Sequence, residues 1–186
     1  EIGADVLSGG DGSDTASYAG SSSADGTTGV QVNLLTGSAS GNDASGDSLT
    51  SIENLIGSDF NDSLTGDDQD NGLAGGGGDD TLNGLGGDDG LFGRDGNDNI
   101  SGADGNDSMQ GEGGADTLDG GAGNDTLAGG TGADTFAFAA GWGTDVVTDF
   151  VRGEDKLDLS ATGLTFEDLT IEQIGADTKI SYGSDS

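Results

Sequence analysis

At 186 residues the chain has the length of one domain or a compact repeat array, and it contains 40 glycines but no proline, cysteine or histidine. Thirty-six acidic residues stand against four basic ones, a formal charge of −32 that repels nucleic acid and anionic membrane and favours divalent counter-ions. The absent residue types exclude a disulfide framework, thiol nucleophiles, H-E-x-x-H zinc sites and Ser-His-Asp triads. No G-x-S-x-G elbow or G-x-x-x-x-G-K-[ST] loop occurs, and no apolar run nears the ~20 residues of a membrane span.

Residues 1–17 carry about one and a half copies of a nine-residue pattern, G-G-x-G-x-D-x-U-x with U apolar, that the middle of the chain repeats at length. Residues 3–8 fit its positions 4 to 9. Residues 9–17 form a full unit, with Asp14 at position 6 and Ala16 at the apolar position 8. The chain opens in mid-pattern and without a signal peptide, which predicts further coils upstream in a longer parent protein.

Residues 18–56 break the register. Apolar and polar side chains alternate over 29–35, the signature of a half-buried strand, and a polar loop is expected over 36–48. Leu49, Ile52 and Leu55 then recur every third residue. That spacing fits a helical turn, but three-residue β rungs ahead of a coil array are the preferred reading. With no distinctive polar cluster, 18–56 is read as longer β rungs that interrupt the array and extend its core.

Residues 57–137 are nine consecutive units in one frame, starting at Gly57, Gly66, Gly75, Gly84, Gly93, Gly102, Gly111, Gly120 and Gly129. Position 6 is Asp62, Asn71, Asp80, Asp89, Asp98, Asp107, Asp116, Asp125 and Asp134. Position 8 is Leu64, Leu73, Leu82, Leu91, Ile100, Met109, Leu118, Leu127 and Phe136. Position 4 is Phe60 and Gln69, then Gly78, Gly87, Gly96, Gly105, Gly114, Gly123 and Gly132. Glycines let the backbone turn with φ > 0 and aim carbonyls inward, while the aspartate adds an anionic oxygen. Such all-oxygen ligands on a flexible loop suit Ca²⁺ better than Mg²⁺ or Zn²⁺. The x-U-x that follows predicts a three-residue strand with one side chain facing a thin core. Two units make one coil, so turns n and n+2 stack and hold an ion between them. A stretch this rich in Gly, Asp and Asn would ordinarily be disordered linker, yet the strict register argues for a fold and leaves disorder as the calcium-free state.

These repeats resemble the RTX, or hemolysin-type, calcium-binding family, and the likeness extends over nearly all of the chain. It implies an all-β fold, a right-handed parallel β-roll with a C-terminal β cap. It also implies that the position-6 carboxylates and alternate carbonyls of the G-G-x-G-x-D turn are the ligands. Carried over, one row of ions uses Asp80, Asp98, Asp116 and Asp134, and the other Asp89, Asp107 and Asp125. Their turns contribute Gly76, Gly78, Gly84, Gly87, Gly93, Gly96, Gly102, Gly105, Gly111, Gly114, Gly120, Gly123, Gly129 and Gly132. That makes roughly five well-formed sites and five to seven ions in all, with Asp14 and Asp62 completing the candidate set. The units of Asp62 and Asn71 depart from the family pattern, lacking glycine at positions 2 and 4. The 18–56 segment is similar to the longer rungs that interrupt such arrays in secreted RTX proteins.

Residues 138–186 are expected to cap the roll. Phe136, Phe138, Trp142, Phe150, Phe166 and Tyr182 gather near this end, and a solenoid needs bulk over its last rung. Residues 153–160 and 171–182 alternate like strands, and 165–169 make at most one helical turn. This run is similar to the C-terminal region of serralysin-type secreted proteases. Asp145 and Asp149 either ligate a terminal ion or lie in a solvated loop. Trp142 reads as a capping residue in preference to a sugar platform.

For function, the resemblance implies a calcium-binding, non-catalytic module of an extracellular bacterial protein exported by type I secretion machinery. It would be unfolded at cytosolic calcium and folded outside the cell. A structural or adhesive surface module with self-association is the alternative, and a polysaccharide-binding module of a secreted enzyme a further one. Neither nucleic acid nor membrane insertion is expected.

Overall fold

The structure is a computed structural model that describes residues 3–141, 143–163, 165, 167, 169–174 and 177–182. Trp142 and Phe166 fall outside the described residues, as does Asp168 of the single turn expected over 165–169.

Short strands follow one another with almost no helix. The first are β1 (Val6–Ser8), β2 (Thr15–Ser17), β3 (Thr28–Asn33), β4 (Ser38–Ser40), β5 (Ser48–Thr50) and β6 (Asn54–Ile56). The repeats supply β7 (Asn61–Thr65), β8 (Gly72–Gly77), β9 (Thr81–Gly86), β10 (Gly90–Asp95), β11 (Asn99–Asp104), β12 (Ser108–Gly113), β13 (Thr117–Ala122), β14 (Thr126–Thr131) and β15 (Thr135–Ala137). Last come β16 (Thr144–Val147), β17 (Lys156–Asp158), β18 (Leu169–Ile174) and β19 (Asp177–Tyr182).

Consecutive repeat strands go to opposite faces, so the chain winds into a parallel β-roll. One sheet runs β1-β5-β4-β3-β7-β9-β11-β13-β15-β17 and the other β18-β19-β16-β14-β12-β10-β8-β6-β2. The register is eighteen residues, as in Leu73↔Leu91↔Met109↔Leu127 on one face and Leu82↔Ile100↔Leu118↔Phe136 on the other. Units n and n+2 therefore stack directly. All nine position-8 side chains are buried in the single layer of core between the sheets.

Most repeat strands are six residues long rather than the three expected. Pairing covers positions 7 to 9, skips the position-1 glycine and resumes at positions 2 and 3, as in Phe92↔Gln110 followed by Arg94↔Glu112. The first half of each turn thus belongs to the parallel ladder.

In 18–56 the alternating run forms β3, and the Leu49 and Leu55 rungs form β5 and β6. The polar loop expected over 36–48 is instead ordered into β4 and a 3-10 helix, Asn42–Ala44. β4 pairs antiparallel with β3 through Val32↔Ala39, and this hairpin enters one sheet between β5 and β7. Val30, Val32, Ala39 and Ala44 are buried, so polar composition concealed small apolar residues at alternating, inward positions.

At the other end β16 and β17 prolong the two sheets, β19 adds antiparallel to β16, and β18 adds antiparallel to β19. Phe136 and Phe138 are buried, and the Phe136 and Phe150 rings lie 6.1 Å apart, tilted by 46°. Aromatic area thus covers the end of the core, as a solenoid requires.

Candidate metal centre

Each turn is set by the residue at its second position. Gly76, Gly121 and Gly130 have φ of +122°, +94° and +98°, and Leu85, Arg94, Ala103 and Glu112 share that conformation at +82°, +86°, +81° and +74°. Side chains rarely accept this geometry, so four non-glycine examples mark a conformation imposed by the stack.

The position-6 aspartates form two inner rows. The N–H of Asp80 donates to Asp98 Oδ1, Asp98 to Asp116 and Asp116 to Asp134, at 2.8–2.9 Å. On the other face Asp89 donates to Asp107 and Asp107 to Asp125, at 2.8 and 2.9 Å. The second carboxylate oxygen of Asp80, Asp89, Asp98, Asp107, Asp116, Asp125 and Asp134 is buried and has no protein partner. Asp14 Oδ2 is in the same condition.

Backbone oxygens close around these atoms. Gly84, Gly93, Gly102, Gly111, Gly120 and Gly129 occupy position 1, where a Cβ would overlap the free Oδ2 of the unit's own aspartate. The carbonyls of Gly93, Gly102, Gly111, Gly120 and Gly129 point back at the position-1 glycine eighteen residues earlier. In the opposite direction, the carbonyls of Gly78, Gly87, Gly96, Gly105 and Gly114 point forward at Gly96, Gly105, Gly114, Gly123 and Gly132. Each gap between stacked turns therefore offers two carboxylates and converging carbonyls. Among the described residues no three His, Cys, Asp or Glu side chains gather as a metal cluster. A cation in these gaps would be held largely by carbonyl oxygen, a donor set that suits calcium.

Burial is the main cause of the raised carboxyl pKa values. It pushes Asp80 up to about 8, Asp89 to about 7, and Asp107 and Asp116 to about 6, against the lowering effect of the N–H each accepts. Asp98, Asp125 and Asp134 are raised for the same reason. An anionic oxygen in such a place needs a proton or a metal cation, and a cation reverses the shift. The residues present fit calcium.

Not every turn is built this way. Asp62 has both oxygens engaged, by the N–H groups of Ser58 and Val30 and by the Ser58 hydroxyl. Asn71 Oδ1 accepts the Asp67 N–H at 2.7 Å, and Asp155 Oδ2 accepts the Val151 N–H at 2.7 Å. Here position 2 lacks the positive φ and turns its own N–H onto the acid or amide, closing the turn from within.

Several contributors escaped the sequence reading. Glu53 fills the position-6 place next to Asp14, whose N–H it accepts at 2.8 Å through Oε2. Asp155 does the same beyond Asp134, at 3.0 Å. Asp149, read as a terminal ligand or a loop residue, accepts the N–H groups of Gly129 and Gly130. A second, outer ladder runs along position 5. Asp79 donates to Asn61, Asn97 to Asp79 and Ala115 to Asn97 on one side; Asp88 to Asp70, Asn106 to Asp88 and Asn124 to Asn106 on the other. The signal for it was Asn or Asp at position 5 in seven of the nine units.

Comparison with curated proteins gave no match. A family model for the RTX calcium-binding nonapeptide repeat matches in four copies, over residues 1–17, 50–82, 70–100 and 101–136. These segments span more than half of the chain and coincide with the stacked turns, so the chain belongs to the RTX calcium-binding nonapeptide repeat family, whose β-roll is a structural calcium-binding fold.

Proposed function

We propose that this segment is a calcium-triggered folding module of an exported bacterial protein, non-catalytic in itself and folded outside the cell. The observation that carries this reading is the row of buried aspartate oxygens without a protein partner, repeated every coil. Carboxylates placed so close repel one another, so a chain of charge −32 stays expanded until cations neutralise the gaps. Cytosolic calcium is too scarce to fill sites of micromolar-to-millimolar affinity, which keeps the chain threadable for type I secretion machinery. Millimolar calcium outside the cell fills the gaps between Asp80, Asp98, Asp116 and Asp134 and between Asp89, Asp107 and Asp125. Each ion joins two stacked turns, so folding spreads from coil to coil.

Circular dichroism with chelator and then with calcium tests this. Coil should give way to β-structure on addition of calcium, and identical spectra in the two conditions would refute the proposal.

A second reading, a structural or adhesive module that self-associates, draws on one feature. Among the described residues β1 pairs with β5 alone and β2 with β6 alone, so each presents a strand edge that a further coil or a second chain could extend. Calcium-dependent growth in light scattering, absent when β1 is blocked by proline, would favour it.

A further inference from the structure

One inner row does not stop with the ninth repeat. After Phe138 the frame slips by two residues, and residues 140–148, A-G-W-G-T-D-V-V-T, restate x-G-x-G-x-D-x-U-x with alanine at position 1. Gly141 and Gly143 have φ of +93° and +80°, as positions 2 and 4 require. Asp145 is 1% exposed, and its Oδ1 accepts the Asp125 N–H at 3.1 Å, continuing the row twenty residues on. The Asp125 carbonyl accepts from Val146, and the Gly123 carbonyl from Thr144. Asp145 Oδ2, like Asp125 Oδ2, is buried without a partner.

A third acid stands beside this pair. Asp119 occupies position 9, a place that holds Thr65, Ala74, Asn83, Phe92, Ser101, Gln110, Ala128 and Ala137 in the other units. Its Oδ1 is also buried and unpartnered, and its charge bears on both Asp125 and Asp145. Interior gaps have acidic neighbours too, Asp79 beside Asp80 and Asp98 and Asp88 beside Asp107, but those side chains are exposed, whereas Asp119 turns a buried, unpartnered oxygen inward. The antiparallel pairing of β19 with β16 continues the sheet beyond this last turn.

We propose that the gap between Asp125 and Asp145, with these two as ligands and Asp119 as a supporting charge, is a calcium site that reaches past the matched repeats and is the tightest in the chain. The proposal rests on the reading that the interior turns hold calcium. Charge count sets calcium affinity in oxygen sites, so this gap loads first and starts folding from the capped end. Asp125 and Asp145 hold the ion, and Asp119 strengthens the field around it.

Native mass spectrometry across a calcium titration, on the whole chain and on Asp145→Asn, Asp119→Asn and Asp104→Asn, tests this. Asp145→Asn should lose one ion, the first to bind. Asp119→Asn should keep the full count but weaken that first ion by about tenfold, and Asp104→Asn, altering an exposed position-3 side chain, should change neither. If the unaltered chain takes up no calcium at millimolar concentration, the underlying reading fails. If it takes up several ions and Asp145→Asn keeps both count and first-ion affinity, this inference alone is overturned. Should Asp145→Asn not fold, an unchanged first-ion affinity in Asp119→Asn overturns it equally.

Discussion

The N–H of Asp89 donates to Asp107 Oδ1 at 2.8 Å, eighteen residues ahead, while Asp107 Oδ2 sits buried with nothing to accept. One carboxylate thus ties two coils together by a hydrogen bond and leaves its other oxygen for a cation. Asp107 also donates its own N–H to Asp125 Oδ1. Replacing it with alanine should damage the gaps on both sides, removing at least two ions and raising the calcium needed for folding by about tenfold or more. Asp104, exposed at position 3, should tolerate the same change. Calcium titrations followed by circular dichroism compare the two, and equal midpoints would count against the assigned roles.

Positions 1 and 2 of the turn should respond in opposite directions. A Cβ at Gly111 would overlap Asp116 Oδ2 and crowd the Gly129 carbonyl, so Gly111→Ala should cost one gap its ion. Leu85, at φ +82°, holds a conformation that costs a side chain about 1–2 kcal/mol, and Leu85→Gly should recover about 1 kcal/mol of that. Thermal midpoints in saturating calcium measure both; destabilisation by Leu85→Gly would contradict the strain.

Acid should partly replace calcium. Asp80 and Asp145 carry folded pKa values of about 8, Asp89 about 7, and Asp107 and Asp116 about 6, against 3.8 for an ordinary aspartate. The metal-free roll then binds protons that the unfolded chain has released, so its stability falls as pH rises from about 4 to about 8. Loss of the −32 charge on acidification acts in the same direction. Metal-stripped protein should gain β-structure between pH 8 and pH 5, and a flat or falling signal would show the reverse sign. With calcium present at pH 6, binding should release protons, measurable as a buffer-dependent heat.

The outer ladder predicts a contrast. Asn106 donates its N–H and side-chain amide to Asp88 Oδ1, at 2.8 and 3.0 Å, and accepts the Asn124 N–H at 3.1 Å, all in exposed positions. Asn106→Ala should lower the thermal midpoint modestly while leaving the number of bound ions unchanged. A lost ion would show that the two ladders are not separable.

The nine-residue frame made the roll, its core and the eighteen-residue stacking readable from sequence, because turn, ligand and core side chain each have a fixed phase. Where the frame slips, legibility weakens: the sequence leaves Asp145 open between ligand and loop and does not single out Glu53 or Asp155. Asp145 and Asp155 follow their partners by 20 and 21 residues, and Glu53 takes a place that aspartate holds elsewhere. The backbone still stacks at those places, since longer connections are absorbed outside the ladder, but periodicity no longer finds them. The missing glycines at positions 2 and 4 did set Asp62, closed by its own Ser58, apart from Asp80. The difference lies in the sign of one φ angle at position 2, which Leu85, Arg94, Ala103 and Glu112 adopt without glycine.

The β3–β4 hairpin has a mechanical outcome. Between β5 and β7 one face of the stack gains two strands, whereas on the opposite face β6 joins β8 directly. At about 4.8 Å per strand, that face is longer by roughly 10 Å at this level, comparable to the spacing between packed sheets. The hairpin is a keystone: it widens one face of the stack where the repeats are interrupted and leaves the opposite face unbroken.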